Sequence, residues 1–134
     1  FPTRRSSDLQ ALLQAKQEVI QEVLEKAYQQ ILHLEPESYF EMLQKMLELY
    51  VLPQDGILYF SEEDLKRMPQ GFENVIEQTA QEKGGHLVVS KEPRDMDGGF
   101  VLVYGGIEEN CTIKAMFHTK RDELSDLIQK VLFV

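Results

Sequence analysis

The side chains best able to do chemistry are few: one cysteine, Cys111, and three histidines, His33, His86 and His118. Cys111 could serve as a thiol nucleophile with His118 or His86 as its base, since a nucleophile needs a neighbour to take its proton. No local signature accompanies it, and an unpaired cysteine more often behaves as a small buried hydrophobe. A structural zinc site needs closely spaced ligand pairs, which these four residues lack. His33, near the end of a helix, suits an interaction with free carbonyls. Asp95-Met96-Asp97-Gly98 has a calcium-loop flavour, but placing Asp97-Gly98 at loop positions five and six puts Pro93 first and Tyr104 last, where acids are required; the segment reads as a turn. No lysine follows any glycine, so a G-x-x-x-x-G-K-[ST] phosphate loop is absent and ATP hydrolysis by this chain alone is not expected. Neither catalytic residues nor a cofactor or metal ion are expected. The carboxylate pairs in Glu62-Glu63-Asp64 and Glu108-Glu109 read as solvated acids. Lys114, Lys120 and Arg121, flanked by Glu109, Asp122 and Glu123, read as a mixed-charge helix face.

With little chemistry on offer, partner binding becomes the leading class. The 134 residues, 43% of them hydrophobic, make one domain's worth of core. Fourteen Lys and Arg against 23 Asp and Glu leave a formal charge of −9, which disfavours nucleic acid or an anionic membrane and favours a protein partner. The longest apolar run, Phe100-Val101-Leu102-Val103-Tyr104, is far short of the roughly 20 residues that span a bilayer. One cysteine makes no internal disulfide and no basic-then-apolar leader opens the chain, so a cytoplasmic, reducing setting is expected. Residues 1–9 resemble the translation of a sequencing-adapter end and are set apart as an adapter or cloning scar. On that reading the natural sequence starts near Gln10, within an element whose N-terminal part is lost.

The elements follow from punctuation and periodicity. All eight glycines lie between Asp55 and Ile107, so the flanks should be helical and the middle rich in turns. From Gln10 to His33, apolar residues recur at three- and four-residue steps: Leu12, Leu13, Val19, Ile20, Val23, Leu24, Ala27, Tyr28, Ile31 and Leu32. An 11-residue echo pairs Leu12 with Val23 and Leu34, Leu13 with Leu24, and Ile20 with Ile31. It fits a straight or right-handed supercoil, although any helix of period 3.6 nearly repeats after 11 residues. Pro36 opens a second helix to about Val51, with Tyr39, Phe40, Leu43, Met46, Leu47, Tyr50 and Val51 as its core stripe.

Ile57 to Phe60 is a short buried strand, Ser61 caps an acidic-first helix that stops before Pro69, and Phe72 to Ala80 lies in a helix ended by Gly84-Gly85. His86 to Ser90 and Phe100 to Tyr104 are strands, and Gly105-Gly106 turns Ile107 to Asn110 back as a hairpin partner. In the last flank, Cys111, Ile113, Ala115 and Phe117 alternate, and Thr119-Lys120-Arg121-Asp122 could cap a later helix. Yet no Gly or Pro interrupts the stretch, which favours one helix from about Thr112 to Phe133. Its Leu127, Ile128 and Val131 share a face expected to be buried, so that Leu127→Ala should cost about 2–5 kcal/mol. The whole is α+β: a small mixed sheet covered by helices, preceded by a long, truncated N-terminal helix.

The segment from Gly98-Gly99-Phe100 through Tyr104-Gly105-Gly106 to Asn110-Cys111-Thr112, followed by a helix closing on Val131-Leu132-Phe133, resembles the E subunit of the V-type (archaeal and bacterial V/A-type) ATPases. The likeness extends through Tyr28, Ile31, Leu32, Tyr39 and Leu43, and runs from about Gln10 to Val134. It implies a non-catalytic peripheral-stalk (stator) subunit of a rotary ATPase that moves protons or sodium ions. Residues 10–34 would be the end of a stalk helix paired with the G subunit of the stalk as a helical heterodimer, in a right-handed coiled coil. Residues 35–134 would be a C-terminal α/β domain clamped to the non-catalytic subunit of the ATPase head. Such a protein is cytoplasmic and peripheral to the membrane, with no insertion of its own. On this reading Leu12, Leu13, Val19, Ile20 and Val23 face the stalk partner, and Glu108 and Glu109 face the head. Many members open the last helix with Asn-Thr-Leu or Asn-Thr-Phe, then an acid and an Arg. Here Cys111-Thr112-Ile113-Lys114-Ala115-Met116 replaces the acid by Lys114 and the Arg by Met116. The related export-ATPase stator of flagellar and type III secretion systems is the alternative, and a thiol-dependent enzyme using Cys111 is the alternative of another class.

Overall fold

The computed structural model describes residues 2–133, with side chains from residue 8 onward. A single helix, α1 (Pro2–Leu32), enters the domain. At 1.5 Å per residue it is about 45 Å long. Only His33, Leu34 and Glu35 separate it from α2 (Pro36–Tyr50), which begins on Pro36 with Glu37 in its first turn. There follow β1 (Asp55–Tyr59), α3 (Glu62–Arg67), α4 (Phe72–Glu82), β2 (His86–Val89), β3 (Gly99–Tyr104), β4 (Ile107–Thr112), α5 (Ile113–Thr119) and α6 (Arg121–Leu132). Ser61 caps α3 by accepting from the Asp64 N–H at 3.2 Å, as its position before three acids predicts.

The sheet has the order β2-β1-β3-β4; β1 and β2 are parallel and the other pairs antiparallel. Parallel strands need a crossover, and α3 and α4 provide it. Strand alternation sends Leu87, Leu58, Phe100, Leu102, Tyr104 and Cys111 to the face covered by α2 and α4, where they join Tyr39, Phe40, Leu43, Leu47, Phe72 and Ile76 in one core. Aromatic edges lock this layer: Phe40 meets Tyr39 and Phe72 at ring-centre distances of 5.3 and 5.0 Å. The fold is therefore the mixed, helix-covered α+β sheet expected from the order of elements.

The last flank departs from the expected single helix. Thr112 still belongs to β4, and its hydroxyl accepts from the Ala115 N–H at 3.2 Å, so that it ends the strand and caps α5 at once. The period-two signal at Cys111 is realised as strand, opposite Phe100. A corner at Lys120 (φ −99°, ψ 12°) then separates α5 from α6. The acids Asp122 and Glu123 sit in the first turn of the new helix, where its positive end favours them. The break needs neither Gly nor Pro, which is why an uninterrupted composition misleads there.

A buried polar cluster joins α2, α3 and β3. The Tyr39 hydroxyl donates to Asp64 at 2.6 Å and accepts from the Gly99 N–H at 2.7 Å, while Arg67 Nε donates to the other Asp64 oxygen at 3.1 Å. Asp64 is 3% exposed, and no side-chain polar atom in the described interior lacks a partner. Gly99 adopts φ +81°, and a Cβ there would run into the backbone of Cys111 and Thr112, so only glycine lets β3 begin at this point.

Candidate partner-binding site

From Leu12 onward α1 is amphipathic, but its apolar side is covered over only part of that length. α6 runs back antiparallel to α1: the Lys16 ammonium lies 5.3 Å from the centre of the Phe133 ring, and Tyr28 meets Phe117 edge to face at 5.5 Å. Between these points Ile20 and Leu24 are buried, each 9% exposed. Ile20 therefore departs from its expected place on a partner-facing strip, because α5 and α6 fold back over this turn of the helix. Leu9, Leu12 and Leu13 precede Lys16, beyond the end of α6, and all are more than half exposed. Steps of 100° place Leu13 on the Ile20 face, and Leu12, Val19 and Val23 on one flank of it. Val19 is exposed and Val23 half-buried.

The matching flank of α6 is also bare. Leu127 and Val131 are 58% and 72% exposed, Leu132 is exposed beside them, and α6 contains no buried residue. The expectation that Leu127, Ile128 and Val131 form a buried core face is thus corrected: α6 packs mainly on α1 and α5, which leaves Ile128 half-buried and Leu127 and Val131 in solvent. Because the two helices are antiparallel, the Val19–Val23 flank of α1 and the Leu127–Val131 flank of α6 fall on the same side of the pair. Together with Leu12 and Leu13 they form an apolar strip of the kind that marks interaction surfaces.

The hairpin acids separate. Glu108 lies opposite Val103 and Glu109 opposite Leu102, so alternation points them to different faces of the sheet. Both are exposed. Glu108 is paired with Arg94, whose guanidinium also stacks 4.0 Å from the centre of the Tyr59 ring. On the opposite edge, Glu77 of α4 accepts from the Leu87 N–H at 3.3 Å and from His86 Nδ1 at 2.8 Å. His86 and Ser90 donate their N–H groups to the Gln54 and Leu58 carbonyls on the β1 side, so Leu87 carries an edge donor, and Glu77 occupies it. The hydrogen bond pulls the Glu77 carboxyl below its usual range and raises the His86 imidazole above its own.

The groups weighed for catalysis do not assemble. Cys111 is fully buried beneath the sheet, and burial pushes its thiol up to about 12, leaving almost no thiolate at neutral pH. His86 is engaged with Glu77, His118 is exposed on α5, and neither is hydrogen-bonded to Cys111 among the described residues. His33 Nδ1 donates to the Gln29 carbonyl at 2.7 Å, the role its position suggested. The Asp97 carboxylate accepts from the Tyr28 hydroxyl and from the Gly98 N–H, so that the irregular stretch Asp95–Met96, bent at Asp97–Gly98, fastens α1 to the domain. Nothing in the sequence couples Tyr28 to Asp97, since only the fold brings residues so far apart into contact. No described helix is long and apolar enough to cross a membrane.

The family model for the ATP synthase (E/31 kDa) subunit matches residues 6–133. The E subunit of the V-type proton ATPase of Thermoanaerobacter pseudethanolicus is 32% identical over 123 residues, covering 90% of this chain and 62% of the relative. The E subunit of the V-type ATP synthase of Clostridium botulinum (strain Hall) is 31% identical over 123 residues, and the E 1 subunit of the Clostridium tetani enzyme is 32% identical over 129, with the same coverage. The chain thus spans about three-fifths of the length of these relatives. A mixed-sheet domain with a long helix leading into it, matched over nearly all its residues, belongs to the ATP synthase E subunit family, which includes the E subunits of the V-type ATPases.

Proposed function

We propose that this chain is a non-catalytic peripheral-stalk (stator) subunit of a V-type rotary ATPase, joining the catalytic head to the ion-translocating membrane part. The observation that carries this reading is the uncovered apolar strip from Leu12 and Leu13 to Leu127 and Val131. A helix end with no tertiary packing is marginal in water, so such a strip calls for a partner helix. The G subunit of the stalk is the partner assigned, lying along α1 and against α6. The sheet domain faces the non-catalytic subunit of the head, with the Arg94–Glu108 side of β4 nearest to it. Chain charge and shape support this division of labour. A rigid sheet resists shear better than loose helices do, and a net charge of −9 suits protein contacts. The short His33–Glu35 connection would pass load from α1 directly into α2, and the Tyr28–Asp97 contact fastens the same junction.

The test is reconstitution of this chain with the G subunit, followed by capture on the isolated non-catalytic head subunit at moderate salt. Retention that needs the G subunit and is weakened by charge reversal at Glu108 is the expected result. A well-folded pair that fails to bind the head overturns the stator reading, and selective capture by a flagellar export ATPase redirects it to the related secretion stators.

A further inference from the structure

On the side of α1 away from the apolar strip, a cleft of about 400 Å³ opens against the corner between α5 and α6. Its floor is hydrophobic, formed by Leu24, Tyr28 and Phe117, and its rim carries Lys114, His118 and Arg121 from the corner. The spacing explains the clustering: Lys114 and His118 are one turn apart on α5, and Arg121 follows a turn later across the Lys120 corner, so all three stand on the side facing α1. Among the described residues none of the three lies within ion-pair distance of a carboxylate. Glu25 is the one acid lining the cleft, and its carboxylate accepts from Gln29 Nε2 at 3.1 Å on the same helix. Lys114 and Arg121, two cations with His118 between them over an aromatic floor, stand out in a chain with a charge of −9.

An apolar floor with a few converging polar groups is the usual make-up of a ligand site, and the volume is within the usual range. We infer that this cleft binds an apolar anion: a carboxylate or phosphate group on the Lys114, His118 and Arg121 rim, with its hydrocarbon body on Leu24, Tyr28 and Phe117. Charge-assisted bonds from Lys114 and Arg121 hold the anion, and the edge-to-face pair of Tyr28 and Phe117 provides the surface on which the body lies. At about 400 Å³ the cleft is the size of a small molecule, so its occupant is a free amphipathic carboxylate or phosphate. The inference is independent of the stator reading.

The probe is 4-phenylbutyrate, titrated into the isotopically labelled chain and followed by amide NMR shifts, with its neutral amide and inorganic phosphate as comparisons. Saturable shifts are expected at Leu24, Tyr28, Phe117 and His118, with binding about tenfold weaker for either comparison compound. The double variant Lys114→Ala/Arg121→Ala should lose about tenfold in affinity while keeping its circular dichroism, because both side chains are exposed. Glu25→Gln should tighten binding by removing the opposing charge. Equal binding of the acid and its amide, no saturation, or an unaltered affinity in the folded double variant overturns the site.

Discussion

The sheet domain and the α1–α6 arm are written in the same apolar code yet end in opposite environments. In the domain, Leu43, Leu47, Leu58, Phe60, Ile76, Phe100 and Leu102 are wholly or almost wholly buried. In the arm, among the described residues of α1 and α6, only Ile20 and Leu24 are buried, each still 9% exposed, while Leu12, Leu13, Leu127, Val131 and Leu132 remain exposed. The domain closes its core because a sheet face and two helices enclose it. The arm is a pair of helices, and two helices leave open any apolar residue beyond their shared seam. The contrast separates residues that fold this chain from residues free to hold another.

Truncation inside the domain should show the largest effect. Leu102→Ala, at a fully buried position under α2, should cost about 2–5 kcal/mol in chemical denaturation. A loss as small as that of a surface change would mean that the two regions do not differ as described. Next is Tyr39→Phe, which removes the partner of the Gly99 N–H and one partner of buried Asp64. A cost of about 1–3 kcal/mol is expected, since unpaired buried groups carry their full desolvation penalty. Retained stability would indicate that water replaces the hydroxyl.

In the arm the sign of the comparison reverses. Leu127→Ala should change stability by less than about 0.5 kcal/mol and should weaken binding of the partner helix instead. Hydrogen exchange gives the matching readout: amides around Leu12 should exchange quickly in the chain alone and slowly once a partner helix is added, while those around Leu24 are protected in both. Full protection of Leu12 in the monomer would remove the distinction.

The smallest effect is a pH dependence at the sheet edge. His86, raised by its bond to Glu77, contributes stability below its ordinary value of 6.5 and loses it as pH rises through the folded value. Glu77, lowered by the same bond, contributes above its ordinary value of 4.5 and loses it as pH falls through its own folded value. The difference in melting temperature between the parent chain and Glu77→Gln should therefore peak between pH 4.5 and 6.5. A flat difference would show that this exposed pair adds nothing to the edge.

The order of elements was legible because each boundary carried its own local chemistry. Pro36 with Glu37 opened α2, Ser61 with its acids opened α3, and Gly84-Gly85 ended α4. The corner at Lys120 was only half legible: Thr119-Lys120-Arg121-Asp122 offered a cap for a later helix, but the absence of Gly and Pro argued for one helix, although docking can also interrupt a helix. Ile20 and Val19 are neighbours in one amphipathic pattern, and nothing local says which of them the returning α6 will cover. Glu108 and Glu109 were legible as exposed acids, but their opposite facing depends on the register of β4 against β3.

What the sequence determined by itself, then, was everything set by short-range sterics and hydrogen bonding: helix starts, turns, strand alternation, and the amount of apolar surface that must be covered. Tertiary structure alone decided what does the covering. Burial of Asp64 between Tyr39 and Arg67, closure of α5 and α6 over Ile20, and exposure of Leu127 all follow from packing between distant segments. Hydrophobic free energy depends on area removed from water and carries no direction, so a periodic apolar stripe records the need for a cover without naming it.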